Sequence, residues 1–189
     1  MQTAALQQSL YESLMRLPEN VVGEIIAGQL HTQPRPAGPH ALASSVLNAD
    51  IGSAFHRGRG GPGGWWILIE PEVHFVRDTE VLVPDLAGWR RERMLHIPKD
   101  QRFEVVPDWV CEILSPSTAK KDRILKMPTY ARYGVPYLWL VDPLARTLEA
   151  FALEQGRWTV IGLYADEIEA AIPPFQEISL PLGELWVAE

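Results

Sequence analysis

Two acidic residues stand where the surrounding sequence has little use for charge. Glu112 interrupts the apolar run PDWVCEIL (107–114), and Asp85 follows a proline inside VLVPDLAG (81–88). In an extended chain successive side chains alternate faces, so Trp109, Cys111 and Ile113 share one face and Val110, Glu112 and Leu114 the other. An ionised carboxylate in such company is costly unless a cation, a donor or water meets it, or it takes up a proton. If the two strands pair, both carboxylates can project from one end of the sheet into a common site. Their mutual repulsion makes a divalent cation the natural third party. Mg²⁺ suits oxygen ligands, holds to one or two carboxylates plus waters, and leaves room for a substrate phosphate. The basic segment AKKDRILK (119–126) adds a further group. Asp122 and Lys126 are i and i+4 on one helix face, and a lysine aimed back at the carboxylates could balance their charge and stabilise a leaving group. Two carboxylates, a lysine and a metal form a hydrolytic set.

The elements that must position these groups follow from periodicity. Leu6, Leu10, Leu14 and Leu17 predict an amphipathic helix over 3–16 that ends at Pro18. VVGEIIAGQLHT reads as two strands turning at Ala27-Gly28, and HALASSVLNADIGSAF (40–55) has helical spacing. WWILIEPEVHFV and EVLVPDLAGW read as strands broken around Pro71 and around residues 77–79. After the polar excursion RRERMLHIPKDQR comes the strand PDWVCEIL. Ser117 is expected to cap a helix running through Lys126 toward Tyr133, with Gly134 as its stop. PYLWLVD, RTLEAFAL and RWTVIGLY are further strands, and Leu180, Leu182 and Leu185 close the core. QPRPAGP (33–39) and HRGRGGPGG (56–64) read as loops. The order predicts one α/β or α+β domain over 1–189 around a single mixed sheet, with an N-terminal helix in 1–17 and strands plus a tail in 151–189.

Composition narrows the function. With 189 residues and 47% hydrophobic content, the chain can bury a substantial core. One cysteine excludes a disulfide framework and a cysteine-rich zinc site; Cys111 itself reads as core. His31, His56, His74 and His96 lack metal-ligand spacing. No stretch reads as a signal peptide or membrane span, so a cytoplasmic protein with no membrane attachment is expected. A net charge of −7 argues against a broad basic field for nucleic acid, so such contacts must be local and metal-assisted. The glycine-rich loop lacks the Gly-Lys-Ser/Thr ending of a phosphate-binding loop. Its histidine and two arginines could touch a nucleic-acid backbone, although the segment reads first as a mobile connector.

The string PDL at 84–86, EILSPST at 112–118, then Asp122, Lys126, Tyr130 and GVPYLWLVDP at 134–143 resembles the Uma-two family of restriction endonucleases, within the PD-(D/E)xK nuclease superfamily. GEIIAGQL (23–30), the proline-rich turn and His40 resemble that family's N-terminal hairpin and first core helix, so the likeness spans about residues 20–150. The resemblance implies a restriction-endonuclease-like αβββαβ core and hydrolysis of phosphodiester bonds in DNA with Mg²⁺ or Mn²⁺. Asp85 and Glu112 would be the catalytic acids and metal ligands, with the backbone carbonyl of Ile113 as the third ligand. The usual lysine position, two residues after the acid, holds Leu114; Lys126, on the following helix, would take its role. Glu70, Asp122 and His40 would be supporting groups. Cutting both strands of a duplex needs two sites, so a homodimer is expected.

Structural alternatives stand beside each assignment. Asp85 could bind backbone amides at a strand end, and Glu112 could pair with Arg123 or Arg132. Pro128 is expected to kink or restart the helix after Lys126, which leaves Lys120 and Lys121 as substitutes. Glu70 reads first as a strand-end residue, His40 as a helix-start histidine and Asp122 as a partner of Lys126 or a support of the helix start. A nuclease-fold module without catalysis, serving assembly or partner binding, is the alternative function.

Overall fold

The computed structural model describes residues 9–34, 37–166 and 168–187. Helix α1 (Leu10–Met15) starts at Ser9, which forms a capping box with Glu12; residues 3–8 of the expected helix lie outside the described residues. Strands β1 (Val21–Ile26) and β2 (Gln29–Pro34) turn at Ala27 and Gly28, both at positive φ, as a two-residue hairpin turn requires. Helix α2 (Gly38–Ile51) continues as a π-helical turn, Gly52–His56. The expected proline-rich loop is therefore shorter than QPRPAGP. Its first two residues belong to β2 and its last two to α2.

The two central strand runs split further than expected. WWILIEPEVHFV gives β3 (Trp65–Ile69) and β4 (Val73–Val76); EVLVPDLAGW gives β5 (Glu80–Leu82) and β6 (Leu86–Arg90). Pro84, which has no N–H for a ladder, ends β5. The chain then crosses from one sheet to another. Sheet order is β2-β1-β5-β4 in the smaller, four-stranded sheet. The larger sheet joins β3 and β6 to β7 (Trp109–Ile113), β8 (Tyr137–Asp142), β9 (Thr147–Glu154) and β10 (Arg157–Ala165), in the order β10-β9-β8-β7-β6-β3. A third, two-stranded sheet pairs β11 (Glu169–Ala170) with β12 (Leu180–Pro181). A single mixed sheet is thus replaced by three, of which the six-stranded one is mixed: β7 and β8 run parallel and its other pairs antiparallel.

The expected αβββαβ order is present as α2, β3, β6, β7, a helical segment over 119–132, and β8, with β4 and β5 inserted. That helical segment comprises α3 (Ala119–Lys121), a π-helical turn (Asp122–Lys126) and α4 (Met127–Arg132). It starts one residue later than a Ser117 cap implies, with Thr118 at the cap position. Ser115 and Thr118 exchange side-chain and backbone bonds at 3.3 Å, which holds Thr118 at the helix entrance. It stops as expected at Gly134 (φ 78), where Gly134 N–H bonds Ala131 and Val135 N–H bonds Tyr130. A methyl group at Gly134 would meet nothing within 4 Å. Gly134→Ala is therefore expected to cost only the left-handed backbone strain, about 1–2 kcal/mol, read as a lower urea midpoint at unchanged slope.

The alternation read from PDWVCEIL holds on both faces of β7. Trp109, Cys111 and Ile113 join the core under α2, with Leu47, Ile51, Trp139, Phe175 and the C-terminal leucines 180, 182 and 185. Val110 and Leu114 join the opposite core with Trp89, Tyr130 and Leu140. No helix among the described residues is long and apolar enough to cross a membrane.

Candidate active site

The β6–β7 ladder pairs Leu86 with Cys111, and one step further out the same register sets Asp85 opposite Glu112. The β3–β6 ladder ends at Ile69 and Leu86, and its next step sets Glu70 opposite Asp85, where Glu70 N–H donates to Asp85 O at 3.0 Å. Three acids thus form a row across three neighbouring strands at one end of the sheet. Asp85 Oδ2 accepts the Ile113 N–H at 2.6 Å, and Oδ1 lies 3.1 Å from Nε2 of His40 in the first turn of α2. Glu70 is exposed and has φ 46, outside the strand conformation. Beside it a cleft of about 540 Å³ runs between α1–β1 and residues 68–72.

Lys126 reaches the row from the helical segment. Its Nζ lies 2.8 Å from Glu112 Oε2, 2.8 Å from Glu24 Oε1 and 3.0 Å from Val83 O, which uses all three ammonium protons. Pro128 does not displace it. The backbone widens into the π turn over Asp122–Lys126, and Pro128 sits in the first turn of α4, where a missing N–H is tolerated. The substitutes go elsewhere: Lys121 pairs with Glu24 and Gln33, and Lys120 is exposed. Arg123 is held by Glu149, and Arg132 is exposed, so Lys126 is the cation that meets Glu112. The Tyr130 hydroxyl donates to Glu112 Oε1.

Three buried carboxyls, Glu24, Glu112 and Asp122, crowd Lys126, and their environments divide them. Burial pushes the Glu24 carboxyl up, but the charges of Lys126 and Lys121 outweigh it and hold Glu24 below the ordinary range. Burial pushes Glu112 well above that range; Lys126 opposes this, while Asp122, Asp85 and Glu24 reinforce it. Asp122 is raised by burial, against the pull of Lys126 and a bond from Thr118. Burial lowers His40, yet its bond to Asp85 and the charges of Asp85, Glu70 and Asp122 raise it overall. Lys126 stays protonated, since the surrounding acids outweigh its burial. Glu24 carries the negative charge that balances Lys126, and Glu112 is the acid most ready to hold a proton.

The family model described as "Putative restriction endonuclease", Uma2, matches residues 11–183. The chain belongs to the Uma2 family. Its fold is similar to that of a crystal structure from Anabaena variabilis ATCC 29413, described as "a putative nuclease belonging to DUF820". TM-score is 0.75 at 22% identity, over 95% of this chain and 97% of that one. No curated protein matches the chain.

In this Uma2 protein the donors available to a cation are hard oxygens, which suit Mg²⁺ or Mn²⁺. Among the described residues no three His, Cys, Asp or Glu side chains converge to cage a metal. A two-carboxylate site that relies on water and substrate oxygens is what Mg²⁺ commonly takes. His40 Nδ1 is buried without a hydrogen-bond partner, so the polar complement of the site is incomplete in the protein alone.

Glu24 and the role of Tyr130 are absent from the sequence-based site. The signal for Glu24 was present, because VVGEII sets a lone carboxylate in an apolar strand as VCEIL does. Cys111 lies beneath the site, fully buried, its thiol pushed well up by burial and by Asp85 and Glu112. We expect no reaction of Cys111 with Ellman's reagent at about pH 8 in the native protein and full reaction once urea unfolds it, because only an accessible thiolate attacks.

Proposed function

We propose that this Uma2 protein is a metal-dependent endonuclease that hydrolyses phosphodiester bonds in DNA. The observation that carries this reading is the opposition of Asp85 and Glu112 across β6 and β7, with Lys126 on Glu112. Asp85, Glu112 and the carbonyl of Ile113 would hold Mg²⁺ or Mn²⁺, which when bound supplies Lewis-acid polarisation and a water of lowered pKa. The chain's own groups prepare that position. The Ile113 N–H and His40 fix both oxygens of Asp85, and Tyr130 and Lys126 fix both oxygens of Glu112. Lys126 would set a positive charge near the phosphoryl group as negative charge develops on it, and Glu112, Glu24 and Asp122 keep it protonated. A two-fold dimer would present two such sites to the two strands of a duplex, and light scattering measures that assembly.

Supercoiled plasmid incubated with purified protein and Mg²⁺ or Mn²⁺ is expected to be nicked and then linearised, and not when EDTA replaces the metal. A second reading, a nuclease-fold module without catalysis, draws on one observation: every carboxylate oxygen of Asp85 and Glu112 already has a protein donor. Calorimetry separates the two. Millimolar or tighter Mg²⁺ binding that Glu112→Gln abolishes excludes the inert module; no binding and no cleavage exclude the nuclease.

A further inference from the structure

The end of β3 remote from the acid row carries the opposite charge. There β3 meets β6 at Trp65 and Arg90, and the glycine-rich loop 57–64 folds back beside it. The loop is a fixed element instead of the mobile connector its composition suggests. Backbone bonds tie Arg57 to Gly52, Arg59 to Ser53, Gly63 to Ala54 and Arg91 to Gly64, all between 2.9 and 3.0 Å. A Cβ at Gly61 would come within 2.6 Å of Ala54 Cβ, so the loop lies directly on the π turn of α2. Arg91 straps it down, bonding His56 O at 2.6 Å and Trp65 O at 3.1 Å while lying 4.0 Å over Trp66. Arg93 is spent on Asp108 at 2.6 Å. Arg57, Arg59 and Arg90 remain: all three are exposed, and none has an acidic partner among the described ion pairs. Arg90 is held 4.8 Å over the Trp65 ring.

A pocket of about 420 Å³ opens between the end of α2 with its π turn and Ile67 of β3, at the start of this loop; Asn48, Ser53, His56 and Arg57 line it together with Ala49, Gly52 and Ile67. An amide, an imidazole and a guanidinium are donors for phosphate oxygens, while the Ser53 hydroxyl donates to Arg59 O at 3.4 Å and helps hold the loop. The His56 imidazole is positioned by Nδ1, 3.2 Å from the backbone N and O of Ile67 on the edge strand. Ile67 precedes Glu70 by three strand residues, about 10 Å, and Trp65 precedes it by about 17 Å. At 3.4 Å of axis per nucleotide, these separations correspond to roughly three to five nucleotides along a strand. On a chain of net charge −7, three unpaired arginines on one rigid rim make a local contact for a polyanion.

We infer that the pocket at Asn48, Ser53, His56 and Arg57, with Arg59 and Arg90, holds the phosphate backbone of duplex DNA a few nucleotides from the bond placed over Asp85 and Glu112. This inference rests on the nuclease reading for its register but not for its measurement, which involves no cleavage. Fluorescence anisotropy of a labelled 30-base-pair duplex is followed with the wild-type protein in EDTA at several salt concentrations. The triple variant Arg57→Ala, Arg59→Ala, Arg90→Ala is expected to bind about tenfold or more weakly at low salt, with the slope of log K against log salt reduced by about 2 to 3. Because all three side chains are exposed, its melting temperature should match wild type. The triple lysine variant should recover most of the salt slope. Equal affinity and slope for wild type and the alanine variant, or no duplex binding by wild type, would overturn the inference. Absence of plasmid cleavage by a protein that binds with this arginine dependence would overturn the nuclease reading alone.

Discussion

Asp85→Asn is expected to lower the rate of Mg²⁺- or Mn²⁺-dependent plasmid nicking by about 10³-fold or more, about 4 kcal/mol of transition-state stabilisation, while the protein melts close to wild type. The two halves of that expectation come from different atoms. An asparagine keeps an oxygen to accept the Ile113 N–H, now made at 2.6 Å, so the turn after Pro84 keeps its anchor. It removes the charge that a cation would need and that, against burial, raises the His40 pKa. Single-turnover nicking rates measured beside a calorimetric metal titration test both halves. Nicking within about tenfold of wild type would remove Asp85 from the chemistry. Melting far below wild type would instead make its bond to Ile113 a structural one that needs the full negative charge.

Lys126→Met is expected to destabilise the protein by about 3–5 kcal/mol at neutral pH, the usual result of removing one partner from a buried ionic group. Methionine fills a similar volume, so the loss is electrostatic: Glu24, Glu112 and the Val83 carbonyl lose a shared donor at once. The pH dependence follows from the carboxyls. In wild type Glu24 lies below its unfolded value, so its contribution is present above the unfolded pKa and is lost as pH falls through the folded one. Without Lys126 both carboxyls move upward from their wild-type positions: Glu24 keeps only Lys121, and Glu112, already raised by burial, rises further. A carboxyl raised on folding binds more protons folded than unfolded, so stability then declines as pH rises through the carboxylate range. The gap between variant and wild type should be small near about pH 4 and fully open near about pH 7. Urea titrations at the two pH values read it directly. Adding Glu112→Gln should restore part of the loss, because a neutral amide no longer needs the ammonium. A loss under about 1 kcal/mol, or one independent of pH, would mean that water replaces the lysine.

What was legible in the sequence was what repeats or breaks a pattern. Glu112 stood out against period-two alternation, and that alternation divides the two cores of β7 as read. Gly134 and the Ala27-Gly28 turn were legible because positive φ leaves a compositional mark. Pro84 was harder. A proline in a strand marks an edge or an end, and nothing local shows that the chain changes sheets there. The π turn before Pro128 was not legible, since it is an answer to the proline and has no residue signature of its own. Glu24 was missed although the argument used for Glu112 applies to it unchanged. Its partner lysines come from the other half of the chain, and no short-range spacing connects them.

The Val83 junction has a consequence for timing. Its N–H holds Glu24, 59 positions away, and its carbonyl holds Lys126; Glu24 in turn grips Lys121 across 97 positions. Closing such distant loops is slow compared with forming hairpins and helices. The hairpin made first during synthesis must therefore wait for a helix emerging a hundred residues later before the lysine settles. Until that last docking Glu112 lacks its ammonium, so the cluster of Glu24, Glu112 and Lys126 is assembled only after both halves of the chain are in place.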